Sequence, residues 1–295
     1  MQSAQSRYDD LVDQVEALYN DDQFSTALDL VEAESDGLHA WAAELAHLKA
    51  CLYGASGDAD RALQTLQAAS AAGAWWQPSI LTDDDDLAAL QERPEFQDLV
   101  AVSGDRVADD PLPPLVVLPA VPAVGVVVSL HGAGLRAAHS AQDWAGVIEL
   151  GYALVCVESS QRMSPMYRTW PDRERAADDI ARALDQLPAE LNGVPVIAAG
   201  FSAGGRAALD WALSAHPVKV TGAVLVAPAL RELPATAAGT LSPATILIGT
   251  DDDLLEVVDE AAAELTSFGF TIERLPGLAH TVPADFTSRL EKILR

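Results

Sequence analysis

Basic residues are scarce in this chain of 295 residues, which has 18 lysines and arginines against 44 aspartates and glutamates and a formal net charge of −26 at pH 7. A surface this acidic repels the phosphates of nucleic acids and of anionic lipids, so we expect neither class of partner. The charge also favours neutral or cationic substrates. Excess surface acid is in addition a trait of solubility or salt adaptation, and we prefer that simpler interpretation.

Cysteines and long apolar runs are equally few. Cys51 falls in a helical pattern and Cys156 in a buried strand of a different predicted domain, so we expect no disulfide. No cationic, apolar leader precedes Tyr8, and no apolar run approaches the roughly 20 residues that span a bilayer. These absences predict a cytoplasmic protein that does not enter membranes. A hydrophobic share of 49% over this length is enough for two domains with substantial cores.

The first hundred residues have a helical pattern that repeats. Leu18-Tyr19 recurs as Leu52-Tyr53, and Ala27-Leu28 recurs as Ala62-Leu63. A spacing of about 34 residues is typical of tetratricopeptide helix-turn-helix units. The segment from Trp75 to Leu99 is predicted to close these units as a helical cap.

Two repeats rarely bury enough surface alone, so we expect this helical domain to pack against the rest of the chain or another subunit. A peptide-binding platform or a gate over an active site is one interpretation of its function. A stabilising element, or one for self-association or a protein partner, is the simpler interpretation, because the repeats show no evident basic clamp for a carboxylate. The run Asp83–Asp86 lacks the spacing of a calcium loop, and we interpret it as a solvated helix start and not as a metal site.

The domain boundaries follow from composition. Residues 1–105 are predicted to be the helical domain, 106–114 a linker that contains Pro111-Leu-Pro-Pro114, and 115–295 a catalytic domain.

The most informative motif is Gly-Phe-Ser-Ala-Gly at residues 200–204. An apolar run at 194–199 leads into it and an alanine-rich run follows at 203–215, which predicts a buried strand, a sharp turn and a helix. Such a turn exposes a serine hydroxyl beside a base, and small flanking residues tolerate its strained backbone. The motif therefore predicts Ser202 as a nucleophile.

Two later strand ends supply an acid and a histidine in the order expected of a triad. The β-branched run 244–250 ends in Asp251-Asp252-Asp253, and the run 270–275 is followed by a loop that contains His280. The histidine is predicted to take the proton of the Ser202 hydroxyl and return it to the leaving group, while the aspartate holds the imidazole tautomer. All three aspartates also suit the start of a helix near Leu254, so the choice among them stays open on residues alone.

An earlier strand supplies an oxyanion site. The run 124–130 leads into His131-Gly-Ala-Gly134, whose backbone can turn amide groups toward an anion. The amide of Ala203 together with that of Gly132 or Ala133 is predicted to bind the oxyanion of a tetrahedral intermediate.

From about Pro111 to Arg295, the segments HGAG, GFSAGG, IGTDDD and PGLAH resemble the α/β-hydrolase superfamily, most closely its dienelactone-hydrolase and carboxylesterase or acyl-thioesterase branches. The resemblance implies an α/β fold with a mostly parallel doubly wound sheet, a carboxylic ester or thioester substrate, and no metal or organic cofactor. The nucleophile departs from dienelactone hydrolases proper, which carry cysteine. The catalytic region is also short, with little room for a large cap.

The resemblance also ranks the site residues. In hydrolases of this type the acid commonly lies three residues after the glycine that ends the strand, which points to Asp252, with Asp251 as the alternative and Glu232 as a weaker one. The role of His131 resembles loop ordering behind the oxyanion hole. His280 is favoured over it and over the remaining histidines, which lack a position at a strand end: His39, His47, His139 and His216.

The loop after the strand at 153–157 lies at the edge of the sheet where α/β proteins bind ligands. Its candidate pocket-lining residues are Gln161, Met163, Met166, Tyr167 and Trp170, and the segment 229–234 is a second candidate wall. Aromatic and methionine side chains are equally ordinary packing material. The sequence as a whole predicts a serine esterase or thioesterase; a peptidase of the same fold and a non-catalytic scaffold are the alternatives.

Overall fold

The computed structural model describes residues 3–214, 220–233 and 240–295. The chain divides into two compact units. The helical unit consists of Met1–Asp109 together with Arg162–Tyr167, and the sheet unit consists of Asp110–Gln161 and Arg168–Arg295. The residues predicted as a linker, 106–114, are thus divided between the two units.

The helical unit has the helices α1 (Ala4–Asn20), α2 (Phe24–Glu34), α3 (Ala42–Ala55), α4 (Ala59–Ala71), α5 (Pro78–Thr82) and α6 (Pro94–Asp105), with 3-10 helices at His39–Trp41 and Asp85–Leu90. The predicted helical character of this part of the chain is confirmed.

Two helical hairpins of this unit, α1 with α2 and α3 with α4, have the same turn. The amide of Gln23 donates to the Leu18 carbonyl at 2.8 Å, and the amide of Asp58 donates to the Tyr53 carbonyl at 2.8 Å. The repeated turn agrees with the repeated sequence pattern. Membership of the tetratricopeptide class stays a prediction.

The segment that follows the hairpins completes the core of the helical unit. Trp76 is 1% exposed, and its indole nitrogen donates to the carbonyl of Ala43 on α3 at 3.1 Å. Its backbone amide donates to Ser103 Oγ of α6 at 2.6 Å. Burial of an aromatic side chain with its polar atom satisfied stabilises this closing segment.

The sheet unit has the strands β1 (Leu115–Val117), β2 (Gly125–Leu130), β3 (Tyr152–Val157), β4 (Val196–Phe201), β5 (Val220–Val226), β6 (Ala244–Gly249) and β7 (Thr271–Leu275). Its helices are α7 (Ala137–Asp143), α8 (Gly146–Glu149), α9 (Arg173–Asp185), α10 (Ser202–Leu213), α11 (Leu255–Glu260), α12 (Ala262–Ser267) and α13 (Phe286–Ile293), with a 3-10 helix at Ala189–Leu191.

In the described residues the strands form one sheet with the order β1-β3-β2-β4-β5-β6-β7. Strand β1 is antiparallel to β3, and the other neighbours are parallel. The six residues of β2 are all buried, as expected for a central parallel strand covered on both faces. The predicted fold class, a mostly parallel α/β sheet preceded by helices, is confirmed.

Parallel strands bring their carboxyl ends to the same edge of the sheet. Strands β4, β6 and β7 end there directly before Ser202, the 250–253 turn and the 276–280 loop, respectively. The topology therefore gathers the three predicted catalytic segments at one edge.

The turn between β4 and α10 is strained and tightly packed. Ser202 has a φ of 52°, in the left-handed region that costs an L-residue energy. A Cβ on Gly200 would lie 2.5 Å from the Gly204 carbonyl oxygen, and one on Gly204 would lie 2.2 Å from that of Leu130. Glycine is required at both positions because backbone occupies the space of a side chain.

The structure predicts that Gly204→Ala destabilises the protein by about 2 kcal/mol more than Gly205→Ala, because overpacking against fixed backbone costs 1–3 kcal/mol. Both changes replace glycine by alanine in α10, so the gain in helix propensity is shared. A Cβ on Gly205 meets its nearest atoms at 3.2 Å and needs only a small adjustment. Urea unfolding of the two variants measures the difference, and equal destabilisation would contradict the proposed packing.

No helix within the described ranges is both long enough and apolar enough to cross a membrane.

Candidate active site

Ser202, His280 and Asp252 are in hydrogen-bonding contact at the carboxyl edge of the sheet. Ser202 Oγ lies 2.9 Å from His280 Nε2, and His280 Nδ1 lies 3.0 and 2.9 Å from Asp252 Oδ1 and Oδ2. An ionised carboxylate only accepts, so Nδ1 carries a proton and the lone pair of Nε2 faces the serine. The Ser202 hydroxyl therefore donates to Nε2, which is the arrangement that activates a serine nucleophile.

Of the three consecutive aspartates, the structure brings Asp252 to the histidine. The Asp252 side chain is 0% exposed, and its Oδ1 also accepts the amide of Leu254 at 2.8 Å. Asp251 and Asp253 are exposed, and Asp251 Oδ1 accepts the Thr250 hydroxyl at 3.1 Å. The buried carboxylate is thus held by two partners in a fixed orientation.

The loop that carries His280 is fixed against the end of β6. A Cβ on Gly249 would lie 1.9 Å from the Leu278 carbonyl oxygen, so only glycine allows this approach. The amide of Asp251 donates to the same carbonyl at 3.0 Å, and the amide of Gly277 donates to Thr250 Oγ1 at 2.8 Å. These contacts position the imidazole between the acid and the serine.

Phe201, the residue before the serine, packs against the imidazole of His280 with 4.9 Å between ring centroids. The His280 side chain is 36% exposed while its carboxylate partner is buried. The base therefore has access to solvent, which a hydrolytic step requires, and its orientation is held by the buried acid.

Backbone amides near the serine are suited to bind an oxyanion. Ala203 lies in the first turn of α10, where amide groups have no intrahelical acceptor and the helix dipole favours negative charge. Among the turn and loop hydrogen bonds of the described residues, no backbone acceptor pairs with the amides of Gly132 or Ala133, and the amide of Ala203 lacks an intrahelical acceptor because of its position in the first turn. The structure thus leaves the three predicted oxyanion-hole amides available for a ligand.

The loop that carries two of these amides is held by a neutral histidine. His131 is 1% exposed; its Nδ1 lies 2.8 Å from the Gly132 carbonyl oxygen, and its Nε2 accepts the amide of Ser159 at 3.2 Å. Both bonds are satisfied together only when Nδ1 carries the single proton. Burial is the main cause that lowers the pKa of His131 to about 4, so the imidazole is neutral at neutral pH.

A buried ion network, which the sequence analysis did not identify, supports the same loop. Glu158 is 6% exposed and accepts the Ala137 amide at 2.9 Å and the Arg136 guanidinium. It also forms an ion pair with Arg168, with 3.3 Å between Oε1 and Nε. The carbonyl of Arg168 accepts the amide of Gly134 at 2.9 Å. A charged residue directly after the buried strand β3 was the available signal in the sequence.

The candidate pocket-lining residues have different locations. Trp170 is 0% exposed, and its indole nitrogen donates to the His131 carbonyl at 2.7 Å. Gln161 is buried and bonds the backbone of Asp172 with both atoms of its amide group. Trp170 therefore supports the 131–134 loop, Gln161 fixes the backbone at Asp172, and contact with a substrate stays a prediction for both.

The remaining members of the predicted pocket, Met163, Met166 and Tyr167, belong to the helical unit. The Met166 amide donates to Glu44 Oε1 of α3 at 2.7 Å, and the Met163 carbonyl accepts the amide of Gln77 at 2.6 Å. Within that unit the segment 162–167 is thus an integral part of the packing.

The other candidate acid and bases have different environments within their own units. Glu232 and His39 are exposed, His47 lies on α3, and His139 Nδ1 accepts the Arg136 amide. His216, and residue 234 of the second candidate wall, lie outside the described residues.

A cavity of about 230 Å³ lies elsewhere in the sheet unit, beside α9 and α10. Its walls include Arg173 and Asp210, whose side chains form an ion pair at 3.0 Å. None of the three triad residues is among the described residues that line it. This cavity therefore belongs to helix packing and not to the candidate active site.

Comparison with known proteins agrees with this architecture. Residues 122–248 match a family model described as serine aminopeptidase, S33, and residues 7–110 match one described as the N-terminal domain of A/B hydrolase-like proteins. The chain is an α/β-hydrolase in fold. The predicted resemblance to this superfamily is confirmed. The match over residues 122–248 ends before Asp252 and His280, so the positions of these two residues are known only from the structure.

Two solved structures share the fold. The crystal structure of an uncharacterized protein from Bacillus cereus ATCC 10987 is 23% identical, covers 97% of this chain and 97% of its own, and has a TM-score of 0.52. Esterase PE8 is 22% identical, covers 62% of this chain and 100% of its own, and has a TM-score of 0.52. At these identities the likeness concerns the fold alone. No curated protein matches the chain significantly.

The neutral state of His131 predicts a pH dependence of stability. An unfolded histidine binds a proton below pH 6.5, whereas folded His131 does so only near pH 4. The free energy of unfolding therefore falls as the pH is lowered through this range. We expect His131 to contribute about 2 kcal/mol of the loss between pH 7 and pH 5, at 1.36 kcal/mol per unit below the unfolded pKa.

Urea unfolding at both pH values tests this contribution with His131→Asn, which keeps a donor for the Gly132 carbonyl but does not titrate. The variant is expected to lose less stability than the wild type on going to pH 5. His39→Asn, at an exposed position, controls for the loss of a histidine. An unchanged pH dependence in His131→Asn would show that His131 is not the titrating group.

Proposed function

We propose that this protein is a serine hydrolase that cleaves a carboxylic ester or thioester through an acyl-enzyme. The observation that carries the proposal is the contact of 2.9 Å between Ser202 Oγ and His280 Nε2, with the buried Asp252 on the opposite nitrogen. This arrangement combines a nucleophile, a base and a group that orients the base, which are the parts that acyl transfer requires.

The first half of the reaction forms the acyl-enzyme. Ser202 Oγ attacks the carbonyl carbon while its proton passes to His280 Nε2, and the carbonyl electron pair moves to the oxygen. The amides of Ala203 and of Gly132 or Ala133 stabilise this oxyanion. The intermediate collapses, the bond to the alcohol or thiol breaks, and the leaving group takes the proton from His280.

The second half repeats these steps with water. His280 accepts a proton from water as the water oxygen attacks the acyl carbon, and it returns the proton to Ser202 as the acid product leaves. Asp252 stays ionised throughout and stabilises the imidazolium that forms twice in each cycle. The solvent access of His280 is consistent with this requirement for water.

The substrate class follows from the motifs and not from the structural neighbours. The HGAG and GFSAGG segments resemble carboxylesterases and acyl-thioesterases, and the net charge of −26 favours neutral or cationic substrates over anionic ones. Esters and thioesters also have better leaving groups than amides, so they make the smaller demand on this apparatus.

A peptidase is the second candidate, because the family model matched by residues 122–248 is described as a serine aminopeptidase. The same three residues can cleave an amide. Turnover of aryl esters and acyl thioesters without turnover of aminoacyl anilides supports the esterase, and the opposite preference supports the peptidase.

A fluorophosphonate probe tests the common apparatus before any substrate is known. The purified wild type is expected to form an adduct on Ser202, located by peptide mass spectrometry. Ser202→Ala is expected to abolish labelling, and His280→Ala is expected to slow it by a factor on the order of 10³ or more, because the nucleophile loses its base. Folded wild-type protein that forms no adduct on Ser202 would overturn the proposed acyl-enzyme and favour a non-catalytic scaffold.

The neighbouring aspartates supply a matched pair for the acid. Asp252→Asn is expected to lower kcat for an aryl ester by about 10⁴-fold, because an amide cannot hold the imidazole tautomer in the same way. Asp251→Asn removes the exposed carboxylate of the adjacent residue in the same turn, and this variant is expected to keep kcat within about twofold of the wild type. Equal losses in the two variants would contradict the specific role of Asp252.

A further inference from the structure

A second cluster of reactive side chains lies in the helical unit, apart from the proposed triad. His47 and Cys51 are four residues apart on α3, so their side chains lie on one face of the helix. Asp84, the residue before the 3-10 helix at Asp85–Leu90, faces them. These three residue types are the common protein ligands of zinc.

The distances among the ligand atoms fit a metal ion. His47 Nε2 lies 3.5 Å from Asp84 Oδ2 and 3.7 Å from Cys51 Sγ, and Cys51 Sγ lies 3.2 Å from Asp84 Oδ2. Tetrahedral zinc with ordinary bonds to nitrogen, sulfur and oxygen separates such atoms by about 3.3–3.6 Å. Each edge of the triangle is therefore within about 0.3 Å of the separation that zinc imposes.

The acid is brought to the helix by a close backbone approach. A Cβ on Gly54 would lie 2.0 Å from the carbonyl oxygen of Asp86, so glycine on α3 allows the aspartate segment to approach. Asp84 Oδ1 accepts the amide of Asp86 at 3.0 Å, and Asp86 in turn accepts the Tyr19 hydroxyl at 2.9 Å. Asp84 Oδ2 is thereby directed toward Cys51 and His47 by groups behind it, as in many metal sites.

We propose that His47, Cys51 and Asp84 bind a divalent transition metal ion, with Zn²⁺ as the best fit. The thiolate and the carboxylate neutralise the two positive charges, and the neutral imidazole completes a mixed nitrogen, sulfur and oxygen set that disfavours Mg²⁺ and Ca²⁺. Binding forms the bond from metal to Cys51 Sγ and releases the thiol proton to solvent. His47 Nε2 lies 3.2 Å from the Ile80 carbonyl, which can only accept, so metal binding replaces that hydrogen bond; the proton of His47 then lies on Nδ1, and Nε2 is the ligand atom.

The fourth position is open to a water molecule. The side chains of His47 and Asp84 are 21% and 24% exposed, while Cys51 is 8% exposed, so solvent reaches the cluster from one side. The site joins α3 to the segment before the 3-10 helix. In the sequence alone, the run Asp83–Asp86 is interpreted as a solvated helix start and not as a metal site. The proposed site gives one member of that run, Asp84, a further role as a metal ligand.

Untagged, metal-free full-length protein is titrated with Co²⁺ and with Zn²⁺ to test the site. We expect one equivalent of Co²⁺ to produce a near-ultraviolet sulfur-to-cobalt charge-transfer band, which one equivalent of Zn²⁺ abolishes. Competition with a chromophoric chelator gives the Zn²⁺ affinity. His47→Gln, Cys51→Ser and Asp84→Asn are each expected to weaken Zn²⁺ binding at least about tenfold.

Each ligand variant has a matched control in the same chain. His39→Gln, Cys156→Ser and Asp85→Asn remove a residue of the same type outside the cluster and are expected to keep both the band and the affinity. Circular dichroism checks that each variant is folded. Asp84→Asn retains a side chain that can cap the helix, so this variant provides the test if Cys51→Ser does not fold. Absence of the band from the wild type, or Zn²⁺ affinity unchanged in His47→Gln and Asp84→Asn, would overturn the proposal and assign binding to surface carboxylates.

Discussion

The left-handed backbone of Ser202 is the constraint on which the rest of the candidate active site depends. This conformation turns the chain from strand to helix within one residue and exposes the hydroxyl. It is possible only because the backbones of Gly204, Leu130 and His131 meet without side chains between them. The same close approach therefore fixes the nucleophile and the start of the oxyanion loop relative to each other, so that neither can shift without the other.

Neutral and charged side chains have different positions around the candidate active site of the sheet unit. The loop that is proposed to bind an oxyanion is held by the neutral side chain of His131, and the ion pairs of Glu158 support it further away. A cationic imidazole in that place would need a counter-ion and would alter the field at the loop. On the opposite side of the serine, the buried carboxylate of Asp252 contacts His280, and in the proposed mechanism it stabilises the charge that the imidazole acquires. The surface acid of the chain has no direct part in this arrangement.

Two members of the proposed triad, Ser202 and His280, were candidates from local signals in the sequence. Ser202 directly follows the buried strand β4, and His280 lies in the loop after β7; parallel strands bring such positions to one edge. Among the three aspartates the residues alone left the choice open; the family resemblance pointed to Asp252, and the structure separates it from its two neighbours by burial, which no periodicity reveals. The cluster of His47, Cys51 and Asp84 was hidden for another reason: its third member comes from a different segment of the helical unit, and the close approach at Gly54 is a property of backbone packing.

Met163, Met166 and Tyr167 were predicted to line the pocket from their position after a strand, and contact with a substrate stays a prediction; in the structure, their segment 162–167 packs within the helical unit. Glu44 Oε1 accepts both the Ser164 hydroxyl at 2.6 Å and the Met166 amide at 2.7 Å. The guanidinium of Arg162 lies over the Trp75 ring at 5.0 Å. The sequence shows where the chain leaves a strand and enters a loop. It does not show which other residues that loop contacts.

The helical unit is built from two separate segments of the chain, 1–109 and 162–167, and this affects its folding during biosynthesis. The ribosome delivers residues 1–109 first, but the helical unit also contains six residues that are made only after the first three strands of the sheet. During elongation, Glu44 therefore lacks its hydrogen-bond partners Ser164 and Met166, which are synthesised more than a hundred residues later. The amino-terminal unit reaches its final set of hydrogen bonds only when synthesis of the second unit is well under way, and the order of folding is not simply the order of the sequence.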